Sequence, residues 1–305
     1  MVGPTASGKS QVAMGLARRR GGPAVEIVSV DSMQVYRGMD IGTAKPTKAE
    51  RAEVRHHLVD VADPSEEYSV SRYQSDAAAA LEDVHRRGAA ALLVGGTGLY
   101  LRAVVDDLEI PGRWPEVRAA LEEEADRCGV PALHGRLAEL DPTAAGRMLP
   151  SNRRRVVRAL EVCIGSGRPF SSFGPGLGDY PPRPVRIFGL EVGRAELDER
   201  IALRYRRQMA AGFLEEVAVL AGRPAGLSRT AGQALGYREL LAHLAGRTGR
   251  EEAVAEAVRR TRSFARRQQA WFRRDPRIEW VEAGGPDGVG KAVAAITAGL
   301  GDWWA

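Results

Sequence analysis

At 305 residues the chain is long enough for one large domain or two modest ones, with ample core in either case. Hydrophobic residues at 44% and charged residues at 27% are those of an ordinary globular protein, and no apolar run approaches the roughly 18 residues of a membrane span. Lys and Arg exceed Asp and Glu by 44 to 39, and a pI near 9.4 leans towards an acidic partner.

The chain opens "MVGPTASGKS", in which Gly3, Gly8, Lys9 and Ser10 fit the phosphate-cradling pattern G-x-x-x-x-G-K-[ST]. The loop residues Gly3, Pro4, Thr5, Ala6, Ser7 and Gly8 would cradle the phosphate, with the backbone N–H groups of all but Pro4 able to converge on its oxygens. Lys9 adds a point charge there, and the Ser10 hydroxyl is the expected ligand of a magnesium ion (Mg2+). A helix from about Lys9 to Arg20 should aim its positive end at the same anion. Most such loops serve ATP or GTP, so ownership of the phosphates is decided by the rest of the chain. Only Met1 and Val2 precede Gly3, so the strand that ordinarily leads into the loop is either very short or begins upstream. No basic-then-apolar leader is seen, so a cytoplasmic protein is expected.

"AVEIVSVDS" (Ala24–Ser32) reads as a buried strand ending in Asp31, and "AAALLVGGTGLY" (Ala89–Tyr100) as a second strand running into a glycine turn. Between them Ser69–Arg87 has a helical apolar face of Val70, Tyr73, Ala77, Ala80, Leu81 and Val84. Strand–helix–strand order predicts an α/β fold, a P-loop NTPase-like core whose parallel sheet is flanked by helices. Ligands gather at the carboxyl ends of parallel strands, which points Asp31 and Gly95–Thr97 at the phosphate loop. By residue type alone Asp31 fits a metal ligand, a general base or a structural cap. Thr97 fits either a presented hydroxyl or a plain tight turn.

From Trp114 strand signals vanish, and residues 114–184 read as a helical insertion, leaving 1–113 and 185–305 as the core. The insertion carries "PSNRRRVVRALEV", with Arg154 and Arg158 four apart and Arg155 beside them. Consecutive arginines at a helix start oppose the dipole unless an anion meets them. Gly167–Pro184 is loop-like by its Gly and Pro content, and Val185–Val192 returns to strand character. After Ala195 the chain reads as mostly helical, closing with "RRTRSFARRQQAWFRR" (Arg259–Arg274). Arginines interleaved with Phe264, Trp271 and Phe272 suit single-stranded RNA, and equally suit an amphipathic helix with its aromatics in the core. Cys128 and Cys163 lack metal or disulfide spacing and read as idle thiols of a reducing compartment.

Together "GPTASGKS", "DSMQVYRGMDIGTAKP", "GGTGLY", "RALEV", "QALGYRE" and "TRSFARRQQAWFRR" resemble the tRNA dimethylallyltransferases, of the shorter bacterial type without a Cys/His finger. The resemblance spans residues 3 to 274 and implies that dimethylallyl diphosphate, not a nucleotide, occupies the loop. It implies Asp31 as the base that takes a proton from the N6 amine of the tRNA adenosine next to the anticodon. Thr97 would bond near that amine or the bridging oxygen, and Arg204 would be a second diphosphate clamp with Arg200 a helper. By the same resemblance Asp31, Ser32, Met33, Gln34, Thr97, Arg118, Arg154, Arg155 and Arg158 contact tRNA. So would Gln233, Gly236, Tyr237, Arg238, Arg266, Arg267, Gln268, Trp271 and Arg273. The helical insertion would clamp the anticodon stem-loop, and a monomer is expected. The chain departs from the family pattern at Arg206, often Asp, at Gln208, often Met, and at "PSNRRR", which keeps Asn152 alone of an Asn-Asp pair. Competing readings are an ATP-dependent small-molecule kinase, a prenyltransferase of free adenine nucleotides, and a nucleic-acid-binding module with a degenerate site.

Overall fold

A computed structural model describes residues 1–19, 22–174 and 176–301. It divides into two compact units, Met1–Val105 with Pro182–Ala305, and Asp106–Pro181. The expected bounds of the insertion were 114 and 184; the division falls earlier because the helix Gly98–Val105 of the first unit ends at the break.

The first unit is built on a parallel sheet. Its strands are β1 (Val25–Val30), β2 (His56–His57), β3 (Ala90–Gly95), β4 (Ile187–Glu191) and β5 (Ile278–Glu282). β1 pairs with β2 on one side and β3 on the other, and β4 pairs with β5. Val2 bridges Gly95 and Gly189 in parallel and, with Met1, whose carbonyl accepts from Gly95 N (3.2 Å), joins the two groups of strands. Its N–H donates to the Phe188 carbonyl (2.8 Å), and its own carbonyl accepts from Leu190 N (2.9 Å). In the place of the strand that leads into the loop, Val2 is fully buried and hydrogen-bonded to β4, while Met1 is bonded to β3. Every residue of β1 is buried, as expected of a parallel strand covered on both faces.

The helix after the phosphate loop runs Lys9–Ala17 and buries Val12, Ala13, Met14 and Leu16; Arg20, the expected end, lies outside the described residues. Helix Val70–Arg86 starts where Ser69 Oγ accepts from Arg72 N (3.1 Å) and buries Tyr73, Ala77 and Val84. The final third is not closed by the arginine-rich helix. That helix is longer, Arg250–Phe272, and is followed by β5 and by helix Gly288–Leu300. β5 hides in the sequence because "IEWVE" is short and alternates charged with apolar residues, as an edge strand does.

The second unit packs helices Pro115–Cys128, Val130–Leu140, Pro142–Gly146 and Arg153–Ser166 around Leu121, Leu133, Leu137, Val156, Val157 and Leu160. The expected 167–184 loop holds a short helical turn, Phe170–Ser172; its Pro175 lies outside the described residues. Cys163 is buried and Cys128 exposed, both unpaired thiols. A buried carboxylate organises this unit. Glu161, 1% exposed, accepts from Trp114 N (2.9 Å), Arg118 Nη1 (2.9 Å) and Arg158 Nη1 (2.9 Å). Glu161→Ala would strip Arg158 of its carboxylate, leave Arg118 only Glu122 at 3.6 Å and leave Trp114 N unpaired, a loss of about 2 kcal/mol. A thermal unfolding curve followed by circular dichroism should show a clearly lower midpoint. An unchanged midpoint would remove Glu161 from the framework of this unit.

Among the described residues no helix is long and apolar enough to cross a membrane.

Candidate active site

Three segments leave the sheet at its carboxyl edge. The phosphate loop follows Val2, Asp31 follows β1, and Gly96 and Thr97 follow β3. This is where an open parallel sheet holds ligands. The loop turns through Ala6 (φ 65°) and Gly8 (φ 93°), after which the Lys9–Ala17 helix begins. Lys9 Nζ donates to the carbonyls of Gly3 (2.9 Å) and Pro4 (2.7 Å). Burial pulls its pKa down to about 8; the Asp31 carboxylate partly upholds the charge and Arg204 opposes it. Ser7 is fully buried, and among the described residues its hydroxyl has no hydrogen-bond partner. An orphaned donor inside such a loop suits an anionic oxygen.

Arg204 arrives from helix Arg194–Ala210. Its Nη1 donates to Thr5 Oγ1 (3.1 Å) and its Nη2 to the Gly42 carbonyl (3.3 Å). Burial lowers the pKa of this guanidinium, but arginine stays charged across the ordinary pH range. Two cations thus converge on the loop from different elements.

On the other side of the crevice, Asp31 Oδ1 accepts from Met33 N (2.8 Å) and more weakly from Gln34 N (3.4 Å). Among the described residues Oδ2 has no such bond, so one oxygen caps the turn and the other is available to a substrate. The capping role of Asp31 is therefore seen, and the other oxygen leaves the base and metal-ligand roles open. Thr97 Oγ1 accepts from Ser32 N (3.2 Å) and lies 3.5 Å from Ser32 Oγ, and Thr97 N donates to the Val30 carbonyl (3.2 Å). The threonine is fastened directly beside Asp31.

The "GGTG" turn has these glycines because the Arg250–Phe272 helix comes very close. A Cβ at Gly96 would lie 2.2 Å from Gln268 Nε2, and one at Gly98 would lie 2.1 Å from Trp271 Nε1. Two distant sequence signatures, "GGTGLY" and "RRQQAW", are one packing contact.

That contact corrects part of the RNA-facing set. Gln268 is 7% exposed, and its amide is spent on Thr5 N and the Gly96 carbonyl, so it offers no face to RNA. Tyr237 and Gly236 are buried, and the Tyr237 hydroxyl donates to Glu216 Oε1 (2.6 Å). Trp271 is half-buried against Gly98, and Phe272 belongs to the core. Gln34 uses its amide on Ser29 Oγ (2.9 Å) and the carbonyls of Thr43 and Ala44 (both 3.3 Å), while Met33 packs against the core. Ser32, as described, meets Thr97. Gln233, Arg238, Arg266, Arg267 and Arg273 are exposed.

Arg266 and Arg273, with Arg194 and Gln269, line a groove of about 630 Å³ at the carboxyl ends of β4 and β5; Arg273 is paired there with Glu191 (2.5 Å). In the second unit Arg118 and Arg158 are committed to Glu161. Arg154 and Arg155 are exposed, with no partner among the described residues. The first arginine of that run, Arg153, has the anions the helix start demands, in Glu122 (2.8 Å) and Asp126 (2.5 Å).

Sequence reading missed the residues that hold the "MDIGTAKP" loop. Glu216 accepts from the N–H groups of Asp40 (2.9 Å), Ile41 (2.7 Å) and Gly42 (3.1 Å). Gln208, one of the departures from the family pattern, is buried and donates to the carbonyls of Ile41 (2.6 Å) and Gly42 (3.1 Å). Arg206, the other, is exposed. Loop and clamp lie far apart in sequence, so only the lone buried-type polar residues hinted at them.

Among the described residues no group of three or more His, Cys, Asp or Glu could hold a metal ion. The donors present are the exposed Ser10 hydroxyl and the available oxygen of Asp31. Hard oxygens in so small a number fit magnesium, which is held largely by substrate phosphates and water.

The sequence model of the IPP transferase family matches residues 34–275. A tRNA dimethylallyltransferase of Kineococcus radiotolerans is 53% identical over 292 residues, covering 94% of this chain and 90% of that protein. The crystal structure of a tRNA isopentenylpyrophosphate transferase from Bacillus halodurans is similar with a TM-score of 0.69 and 37% identity, over 98% of this chain and 95% of that one. A eukaryotic dimethylallyltransferase acting on tRNA gives a TM-score of 0.79 at 25% identity, over 98% of this chain and 77% of that one. Resemblance in the motifs, likeness of fold and identity along nearly the whole length agree: this chain belongs to the IPP transferase family.

Proposed function

We propose that this chain transfers a dimethylallyl group from dimethylallyl diphosphate to N6 of the adenosine on the 3′ side of the anticodon, in tRNAs that read codons beginning with U. It would act in the cytoplasm as a monomer. The observation that carries this reading is the meeting of a diphosphate cradle with Asp31 and Thr97 at one sheet edge of a chain from this family.

In the reaction a bond forms between N6 and the allylic carbon while the carbon–oxygen bond to diphosphate breaks. The leaving group departs with that electron pair, so negative charge grows on its oxygens. Backbone donors of Gly3–Ser10, the Ser7 hydroxyl, Lys9 and Arg204 are the groups placed to stabilise it. The Ser10 hydroxyl would hold a magnesium ion, which when bound would supply further neutralisation of that charge. An aryl amine is a weak nucleophile, and the Asp31 oxygen that does not cap the turn accepts its proton. Thr97, fixed on Ser32, positions the amine or the bridging oxygen. A base inside a stacked loop is out of reach, so the adenosine must be flipped out.

Exposed arginines on both units suit the RNA backbone. Arg266→Ala with Arg267→Ala should weaken tRNA binding and flatten its salt dependence by up to about two units of log–log slope. An unchanged slope would mean that these arginines do not reach phosphates. The reading itself is tested by offering labelled dimethylallyl diphosphate to unmodified tRNA and, separately, to AMP. Label should enter the tRNA alone. Label in AMP would instead favour the free-nucleotide prenyltransferase, and ATP hydrolysis without transfer the kinase.

A further inference from the structure

Gln268 is a side chain that touches both halves of the reaction centre. Its Oε1 accepts from Thr5 N in the phosphate loop (2.8 Å), and its Nε2 donates to the Gly96 carbonyl in the turn that presents Thr97 (2.8 Å). Thr5 is held again through its hydroxyl by Arg204, and Thr97 is held by Ser32. A path of hydrogen bonds thus runs from the Arg204 guanidinium through Thr5 and Gln268 to Gly96, whose chain neighbour is Thr97. The amide is buried and lies on the inward stripe of its helix with Ala257, Thr261, Ala265 and Phe272.

We infer that Gln268 is a positioning residue that sets the gap between the leaving diphosphate and the attacking amine; this rests on the transferase reading given above. Both ends of the side chain are needed, because one must accept from an N–H and the other donate to a carbonyl. An amide satisfies both, as does a protonated acid of the same shape, and an ionised carboxylate does not. The close approach at Gly96 follows from the same requirement. A methyl group there would displace the amide from the opposite side.

A misplacement of about 1 Å between reacting groups can cost about a hundredfold in rate. In Gln268→Glu the carboxylate faces the Gly96 carbonyl at neutral pH. The turnover number should fall about tenfold to a hundredfold, with KM for dimethylallyl diphosphate and for tRNA little changed. As pH is lowered towards the carboxyl range the acid protonates and can make both bonds. The ratio of variant to wild-type turnover should therefore rise on acidification, which a merely structural defect would not produce. Gly96→Ala, with Gln268 intact, should show the same loss in turnover without the pH recovery, and it carries the test should the Glu variant not fold.

A Glu variant with wild-type turnover, or one whose loss lies wholly in KM, would overturn the inference. So would a turnover ratio that does not move with pH. If the Glu variant does not fold, wild-type turnover in Gly96→Ala overturns it equally. A wild-type protein that transfers no dimethylallyl group would instead overturn the transferase reading, so the two failures are distinct.

Discussion

Replacing Asp31 with Asn is expected to lower the transfer rate by about 10²- to 10⁴-fold, the usual worth of a positioned general base. Asparagine is the informative choice because the carboxylate has two tasks. Its Oδ1 accepts from Met33 N and Gln34 N, and an asparagine carbonyl can continue to do so. What the change removes is the second oxygen as a proton acceptor. The turn that carries Ser32, and through it the anchor of Thr97, should therefore persist, and tRNA affinity should remain close to wild type. Alanine would also abolish transfer, but it would free two N–H groups of the turn as well. Single-turnover rates with both substrates saturating, beside a filter-binding measurement of tRNA, make the comparison. Near-normal turnover in the Asn variant would remove Asp31 as the base.

Lys9→Ala should cost about 10²- to 10³-fold in kcat/KM for dimethylallyl diphosphate, the scale seen when one preorganised donor to a developing anion is lost. Its ammonium already rests on two loop carbonyls, so no side-chain rearrangement is required to face the diphosphate. The depressed pKa, about 8, adds a signature in pH. In the free protein the charge is present below that value and is lost as pH rises through it. Diphosphate affinity should then decline above about pH 8 in the wild type. Lys9→Arg, charged throughout, should lack that decline. Stability moves in the opposite sense. The folded pKa is below the unfolded one, so between about 8 and 10.5 the unfolded chain binds the extra proton, and stability rises with pH across that window. Calorimetric titration of dimethylallyl diphosphate at several pH values reads the binding limb. A flat profile in the wild type would mean that Lys9 does not contact the diphosphate.

Much of the candidate site's placement was legible because its signals are local in sequence. The phosphate loop, the aspartate closing β1 and the glycine turn closing β3 are each a short contiguous signal, and the parallel sheet brings strand ends together. What stayed hidden depends on which side of a helix a polar residue faces. The 250–272 helix buries Ala253, Ala257, Thr261, Ala265, Gln268 and Phe272 at steps of three and four. Gln268 lies on that stripe, so periodicity carried the signal for its burial, and the surrounding arginines masked it. Tyr237 was likewise read with its exposed neighbours Gln233 and Arg238, although its ring belongs to the core and its hydroxyl to Glu216. Glu161 and Glu216 look like any other helical acid in sequence. Their roles follow from partners more than forty residues and more than a hundred and seventy residues away respectively. The sheet was complete only with Val2 and β5, segments too short or too charged for a strand pattern to register.

The most direct test identifies the modified nucleoside itself. Unmodified tRNA reading a U-initial codon is incubated with the protein, magnesium and dimethylallyl diphosphate, then digested and analysed by mass spectrometry. N6-dimethylallyladenosine at the position 3′ to the anticodon, with free diphosphate released in equal amount, is the expected result. Unmodified adenosine at that position, or a prenyl group found only on free nucleotides, would contradict the assignment of this site to tRNA.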